Sequence, residues 1–165
     1  MKLYHGSTNI VEQPKIIKGD KFLDFGFGFY TTTSEEQALR WAKIKKKRTK
    51  SETSYLNIYE IDEATLSDKS FSVLYFNEPS RQWLEFVIAN RRGAITHSHD
   101  FVKGPVANDM LYRTFTLYES GVLTLQETIN RLKVHELFDQ LSFHTEKALK
   151  NLKFIEVKTT VGADL

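Results

Sequence analysis

Apolar residues along the chain recur at two spacings, and each spacing predicts an element. Strand patterns cover Lys2 to His5, Gly26 to Thr32, Tyr55 to Ile61, Phe71 to Phe76, Asp100 to Ala107, Gln140 to Thr145 and Phe154 to Lys158. Helical spacing appears after Thr33 and Ser34, where Glu36 and Gln37 complete a capped start and Ala38, Trp41 and Ala42 share one face. It returns from Arg81 to Arg92, with Trp83, Phe86 and Val87 on one side and Gly93 as the stop. Asn108 or Asp109 can cap a further helix reaching Tyr118, and Gly121 terminates it. Thr124-Leu125-Gln126-Glu127 reads as a capping box for a helix to about His135, and Glu146 to Leu152 allows a short one. No repeat, low-complexity tract or linker interrupts this order, so the pattern predicts one α+β domain over residues 1–165.

Composition narrows the class. A chain of 165 residues can bury about two thirds of its unfolded surface without disulfides or metals. The sequence holds no cysteine, which excludes a disulfide framework and thiolate zinc sites. Met1 to Gly6 has no apolar signal core, and no apolar run approaches the roughly 20 residues of a membrane span, so a soluble cytoplasmic protein with no membrane partner is expected. The net charge of +2 gives no overall field for nucleic acid. One local basic run, Lys43 to Lys50, reads first as a solvated helix end that favours the helix dipole, because no aromatic residues interleave with it.

Asp24-Phe25-Gly26-Phe27-Gly28-Phe29-Tyr30-Thr31-Thr32-Thr33 stands apart from the other strand patterns. Phenylalanines at period two ordinarily mean core, and glycines in a strand ordinarily mean a bulge or bend. Alternating glycines also bare one face of the backbone, against which a flat ligand can lie while Phe25, Phe27 and Phe29 face the other way. Near the start, His5 closes a strand and precedes Gly6-Ser7. His97, His99, His135 and His144 lack a third ligand at metal spacing, so no metal is expected. There is no Gly-x-Ser-x-Gly elbow, no phosphate loop, and no third glycine after Gly26 and Gly28 for a dinucleotide fingerprint. The carboxylates are scattered, each explained by a cap or a solvated face. Gln140, a polar residue opening an apolar strand, needs a hydrogen-bond partner or a sheet edge.

Leu3-Tyr4-His5-Gly6-Ser7, the Asp24 to Thr32 stretch and the Gln37-Ala38-x-x-Trp41-Ala42 helix together resemble the His-Tyr branch of the ADP-ribosyltransferase superfamily. Lys103-Gly104-Pro105-Val106-Ala107-Asn108-Asp109 and Gln140-Leu141-Ser142-Phe143-His144-Thr145-Glu146-Lys147-Ala148-Leu149 are similar to a bacterial family of uncharacterised ADP-ribosyltransferase-like proteins often encoded beside a small partner. The resemblance implies a split, bent pair of β-sheets with flanking helices, gripping NAD as substrate without a metal. It implies that His5 bonds the adenosine-side ribose, that the Gly6 backbone holds the nicotinamide carboxamide, and that Tyr30 stacks on the nicotinamide ring. Ser7, Gly28, Thr31 and Thr32 complete the implied binding set, the threonines near the ribose.

The family's catalytic glutamate opens a late strand, where this chain has Gln140. Asp109 ranks second for that role and Glu146 third. The implied function is an NAD-dependent mono-ADP-ribosyltransferase acting on a macromolecule, with the toxin of a toxin-antitoxin pair as one form. A non-catalytic NAD or ADP-ribose module working through a partner protein, and an NAD glycohydrolase, are the alternatives. RNA contact through the basic run, or RNA as acceptor, is a further class.

Overall fold

In the computed structural model, residues 1–19, 23–106, 109–133 and 138–160 are described, without the side chains of 109–112 and 133. Two sheets and five helices form a mixed α+β architecture among these residues. Strands β1 (Lys2–Ser7), β3 (Tyr55–Glu60) and β7 (Lys153–Thr159) make an antiparallel sheet in the order β1-β3-β7. The second sheet runs β2-β6-β5-β4, from β2 (Phe29–Thr31), β6 (Asp139–Phe143), β5 (Phe101–Pro105) and β4 (Val73–Tyr75), with only the β4-β5 pair parallel. The edges of the two sheets meet at one place, where the Tyr4 and Thr32 backbones exchange hydrogen bonds of 2.8 and 3.0 Å.

Side-chain alternation explains the layers. Leu3 and Tyr59 from the first sheet meet Phe29, Phe101, Leu141 and Phe143 from the second, so the main core lies between the sheets. The outer face of the second sheet places Val102 against Trp83, Leu84 and Val87 of α2 (Arg81–Arg91), Phe115 of α3 (Asp109–Glu119) and Leu132 of α4 (Leu125–Lys133). On the outer face of the first sheet, α1 (Glu35–Thr49) lays Ala38 on Leu56 and Ile58. Ser34 caps α1 by accepting from the Gln37 amide, Glu35 and Glu36 occupy the first turn, and Lys46, Lys47 and Arg48 the last. The Thr124-to-Glu127 capping box forms as its spacing predicts. A fifth helix, α5 (Glu146–Leu149), follows Thr145 as N-cap. No helix among the described residues is long and apolar enough to cross a membrane.

Two expectations need correction. The strand expected from Gly26 begins only at Phe29, because Gly26 has a φ of 85° and the preceding residues turn rather than extend. Phe25 and Phe29 therefore do not share a face: Phe25 enters the helix-side core and Phe29 the inter-sheet core. Trp41, on the same helical face as Ala38 and Ala42, is 37% exposed and lines a cavity with Ala38. Ala107, Asn108 and His135, the proposed ends of a strand, a cap and a helix, lie outside the described residues.

Gly6 shows how closely α1 is seated. A Cβ built there would lie 1.9 Å from the Ala38 carbonyl oxygen and 2.7 Å from the Ala42 nitrogen, both backbone atoms. Gly6→Ala is therefore expected to destabilise the protein by about 3 kcal/mol, since backbone rather than a side-chain tip must yield. Urea unfolding of the variant checks this, and a loss below about 1 kcal/mol would show that α1 slides freely on β1.

Candidate functional site

Beyond the Tyr4-Thr32 pair the two sheet edges part, and a cavity of about 570 Å³ opens between them. The same antiparallel register would next pair Gly6 with Tyr30, but no backbone bond joins them among the described residues. Instead the His5 ring nitrogen Nδ1 lies 2.7 Å from the Tyr30 carbonyl oxygen and takes that acceptor. Because groups two apart on a strand point the same way, the Gly6 amide and carbonyl follow those of Tyr4 toward the gap. The broken ladder thus leaves a donor and an acceptor on one residue at the cavity wall.

His5, Gly6, Ser7, Gly28, Tyr30, Thr31, Thr32 and Gln140, the set proposed from the sequence, all line this cavity. Their parts differ. A carbonyl can only accept, so His5 Nδ1 carries the proton and Nε2 is an acceptor. Burial, reinforced by the Lys45 ammonium, lowers the His5 pKa to about 3 against the opposing bond to Tyr30, and the imidazole is neutral. The Tyr30 hydroxyl donates to the Gly26 carbonyl at 2.6 Å and accepts from the Phe25 amide at 3.0 Å, leaving its ring to form the wall. Burial pushes that hydroxyl well above the ordinary tyrosine range.

The two threonine hydroxyls serve the fold: Thr31 donates to the Leu141 carbonyl at 2.8 Å and Thr32 to Gln37 Oε1 at 2.7 Å. Ser7 Oγ accepts from the Asn9 amide at 3.2 Å and shapes the loop leaving β1. Gly28 is required by packing, since a Cβ would stand 2.7 Å from the Phe143 carbonyl oxygen. Gln140 is 7% exposed, and its amide nitrogen donates to Asp24 Oδ2 at 3.1 Å and to the Pro105 carbonyl at 3.2 Å. Glu146 is the first residue of α5 and is not among the cavity residues. The Asp109 side chain lies outside the described residues.

Other residues complete the site without having been singled out for it. Asp24 lines the cavity and receives a two-point contact from Arg91, with Arg91 Nε at 2.8 Å from Oδ1. Its signal was a carboxylate heading a glycine-rich turn. Lys45, read with the solvated helix end, instead shares the cavity face of α1 with Gln37, Ala38 and Trp41, and burial lowers its pKa. Asn57 is fully buried, accepts from the Val11 amide at 2.8 Å and donates to the Asn9 carbonyl at 3.2 Å, fixing the chain that covers the cavity. A polar residue between Leu56 and Ile58 in an alternating strand was its trace in the sequence.

The histidines without metal spacing also acquire a role. His97 Nε2 bonds the Phe25 carbonyl at 2.7 Å and His144 Nδ1 the Phe27 carbonyl at 2.7 Å, with the two rings 4.5 Å apart edge to face. They hold the Gly26 turn. No group of three or more candidate metal ligands occurs among the described residues.

Fold and site define a mixed α+β protein with a ligand-sized cleft between the diverging edges of two sheets, walled by a neutral histidine, a tyrosine ring and a fixed amide. The chain belongs to the family described as Protein of unknown function (DUF3990), whose model matches residues 1–154. No curated protein and no solved structure matches it.

The buried imidazoles set a pH dependence. His144 is lowered to about 4, mainly by burial, and His5 to about 3, whereas both titrate near 6.5 when unfolded. Below pH 6.5 the unfolded chain takes up protons that the folded chain refuses, so this stability is complete above about pH 7 and declines as pH falls toward 4. At pH 5 the loss is on the order of 2 kcal/mol for each histidine. Urea midpoints at pH 7.5 and pH 5 measure it, and His144→Gln, which keeps a donor but does not titrate, should remove about half of the difference and leave the His5 share.

Proposed function

We propose that the cleft binds NAD and that the protein is an NAD-dependent mono-ADP-ribosyltransferase, with the split-sheet architecture of that superfamily. The observation that carries this reading is the meeting of His5, Gly6, Tyr30 and Gln140, from β1, β2 and β6, at one cavity of about 570 Å³. That volume lies within the range of small-molecule sites. The in-plane amide and carbonyl of Gly6 match a carboxamide, which has one acceptor and one donor edge. The neutral His5 Nε2 accepts from a ribose hydroxyl, and the Tyr30 ring offers a face to the nicotinamide.

Charge supports the same ligand. Lys45 has no carboxylate within ion-pair distance among the described residues, although it lines the cavity and is partly withdrawn from water. A half-buried cation without a partner gains from a ligand that brings an anion, and the NAD diphosphate brings one. The half-exposed Trp41 and Leu23 at the cavity provide apolar cover for the adenine.

In the reaction the bond between nicotinamide N1 and ribose C1′ breaks, and its electron pair leaves with neutral nicotinamide. The ribosyl cation at C1′ then takes an electron pair from a nucleophilic atom of a macromolecular acceptor, which loses a proton to solvent. Gln140 in place of a carboxylate gives the cation less electrostatic help, an effect worth a few kcal/mol. That observation favours a second reading, in which the cleft binds NAD or ADP-ribose and works through a partner protein. Attack by water instead of an acceptor would make the same site a glycohydrolase.

Incubation with labelled NAD and a cell extract separates these readings. Transfer should yield labelled macromolecule and equimolar nicotinamide. Binding by calorimetry without nicotinamide release selects the module, release without label transfer selects hydrolysis, and absence of binding overturns all three. His5→Ala and Lys45→Met should each weaken NAD binding about tenfold to hundredfold, the value of one hydrogen bond or contact to a charged group.

A further inference from the structure

We infer that Asp24 is a positioning residue: it holds the Gln140 amide so that the carbonyl oxygen Oε1 faces the cavity as a hydrogen-bond acceptor. The inference extends the proposed reading, in which the group received there is a ribose hydroxyl.

An amide side chain can be turned by 180° with little change of shape, so its partners must choose the orientation. Here they do. The two neighbours of Gln140 Nε2 are the Asp24 carboxylate at 3.1 Å and the Pro105 carbonyl at 3.2 Å, and neither can donate. Turning the amide would set oxygen against two oxygens and lose both bonds. Both N–H groups are therefore directed away from the ligand. Among the described residues no bond to Oε1 forms and no buried side-chain oxygen lacks a partner, so Oε1 is not sealed in, and the space that Gln140 lines is the cavity.

Asp24 can impose this because it is itself fixed. Arg91, at the end of α2, grips Oδ1, leaving Oδ2 for Gln140, and both members of the ion pair are nearly buried, with side chains 14% and 12% exposed. Arg91 also lies over the Phe115 ring at 5.6 Å. The chain of contacts runs from α2 through Asp24 to the start of β6, and it ends on an oxygen offered to the ligand.

The arrangement reverses a simple expectation about Gln140→Glu. A carboxylate there would stand about 3 Å from that of Asp24, and two such groups cannot both ionise freely. At pH 7.5 the pair is held apart by this repulsion, and as the pH falls the two come to share one proton. If the introduced carboxyl holds it and donates to Asp24, it again presents a carbonyl oxygen to the cavity, so the variant should resemble the native protein only at low pH.

Two measurements test this. In protein labelled with ¹⁵N-glutamine and free of ligand, one side-chain amide pair should exchange slowly with solvent, vanish in Gln140→Met and lose protection in Asp24→Asn while circular dichroism stays native. An unprotected Gln140 amide, or protection that survives Asp24→Asn, overturns the inference whatever the protein does with NAD. In nicotinamide release, Gln140→Glu should lose at least tenfold in kcat at pH 7.5 and regain activity toward pH 5.5. Asp24→Asn combined with Gln140→Glu should recover most of the loss at pH 7.5, because an asparagine at position 24 can accept from Arg91 and donate to the introduced carboxylate. Full activity of Gln140→Glu at pH 7.5 overturns the inference. Failure of the unaltered protein to bind NAD overturns the functional reading alone, and the exchange measurement then decides the role of Asp24.

Discussion

Three consecutive backbone carbonyls, those of Phe25, Gly26 and Phe27, are each taken by a side chain from elsewhere, and the placement of the cleft depends on it. His97, Tyr30 and His144 supply the donors. A turn so rich in glycine has many conformations to lose and no strand ladder to offset the loss. Its carbonyls, once withdrawn from water, need partners, and each bond formed also fixes a neighbour. Capture of the Gly26 carbonyl orients the Tyr30 ring, capture of the Phe25 carbonyl seats Phe25 in the helix-side core, and Asp24 is carried into reach of Arg91 and Gln140. The turn is one cooperative unit, so its parts cannot be altered independently.

The second constraint follows from the first. With the turn fixed, β2 starts at Phe29 and can run beside β1 only as far as Tyr4-Thr32. Separation of two edges normally leaves backbone groups exposed, an invitation to pair with another chain. Here the His5 imidazole takes the Tyr30 carbonyl, Asn57 ties down the loop after β1, and α1 closes one side against Gly6. The gap is thereby narrowed to a pocket, and what remains unpaired is concentrated at Gly6.

Local features were legible in the sequence where local physics decides them. The Ser34 cap, the capping box at Thr124 and the alternation of Tyr55 to Glu60 need only nearest neighbours, and they fold as their patterns predict. Residues proposed for the site from motif resemblance do meet at one cavity, although Thr31, Thr32 and Gly28 have structural duties sufficient to explain them. The Gly26 turn looked like strand because period two cannot register a single φ of 85°. Asp24, Arg91 and Gln140 are separated by up to 116 positions, and no spacing rule joins them. Lys45 was hidden in a run of like charges, where only the helical phase relative to Ala38 and Trp41 distinguishes the inward lysine from its neighbours.

The electrostatics of the cleft restrict what it can receive. His5 is neutral, Asp24 is matched by Arg91, and Gln140 is an amide, so the wall formed by β1, β2 and β6 presents oriented dipoles and no net charge. Lys45, on α1, adds a positive charge to the lining. A ligand that satisfied both kinds of group would carry a polar, uncharged part and an anionic one. A simple phosphate would leave the dipoles of Gly6 and Gln140 without partners, and a neutral nucleoside would leave Lys45 desolvated and alone. The costs of these omissions are of the order of a few kcal/mol each, which corresponds to a factor of more than about a hundred in affinity for a ligand of the proposed kind.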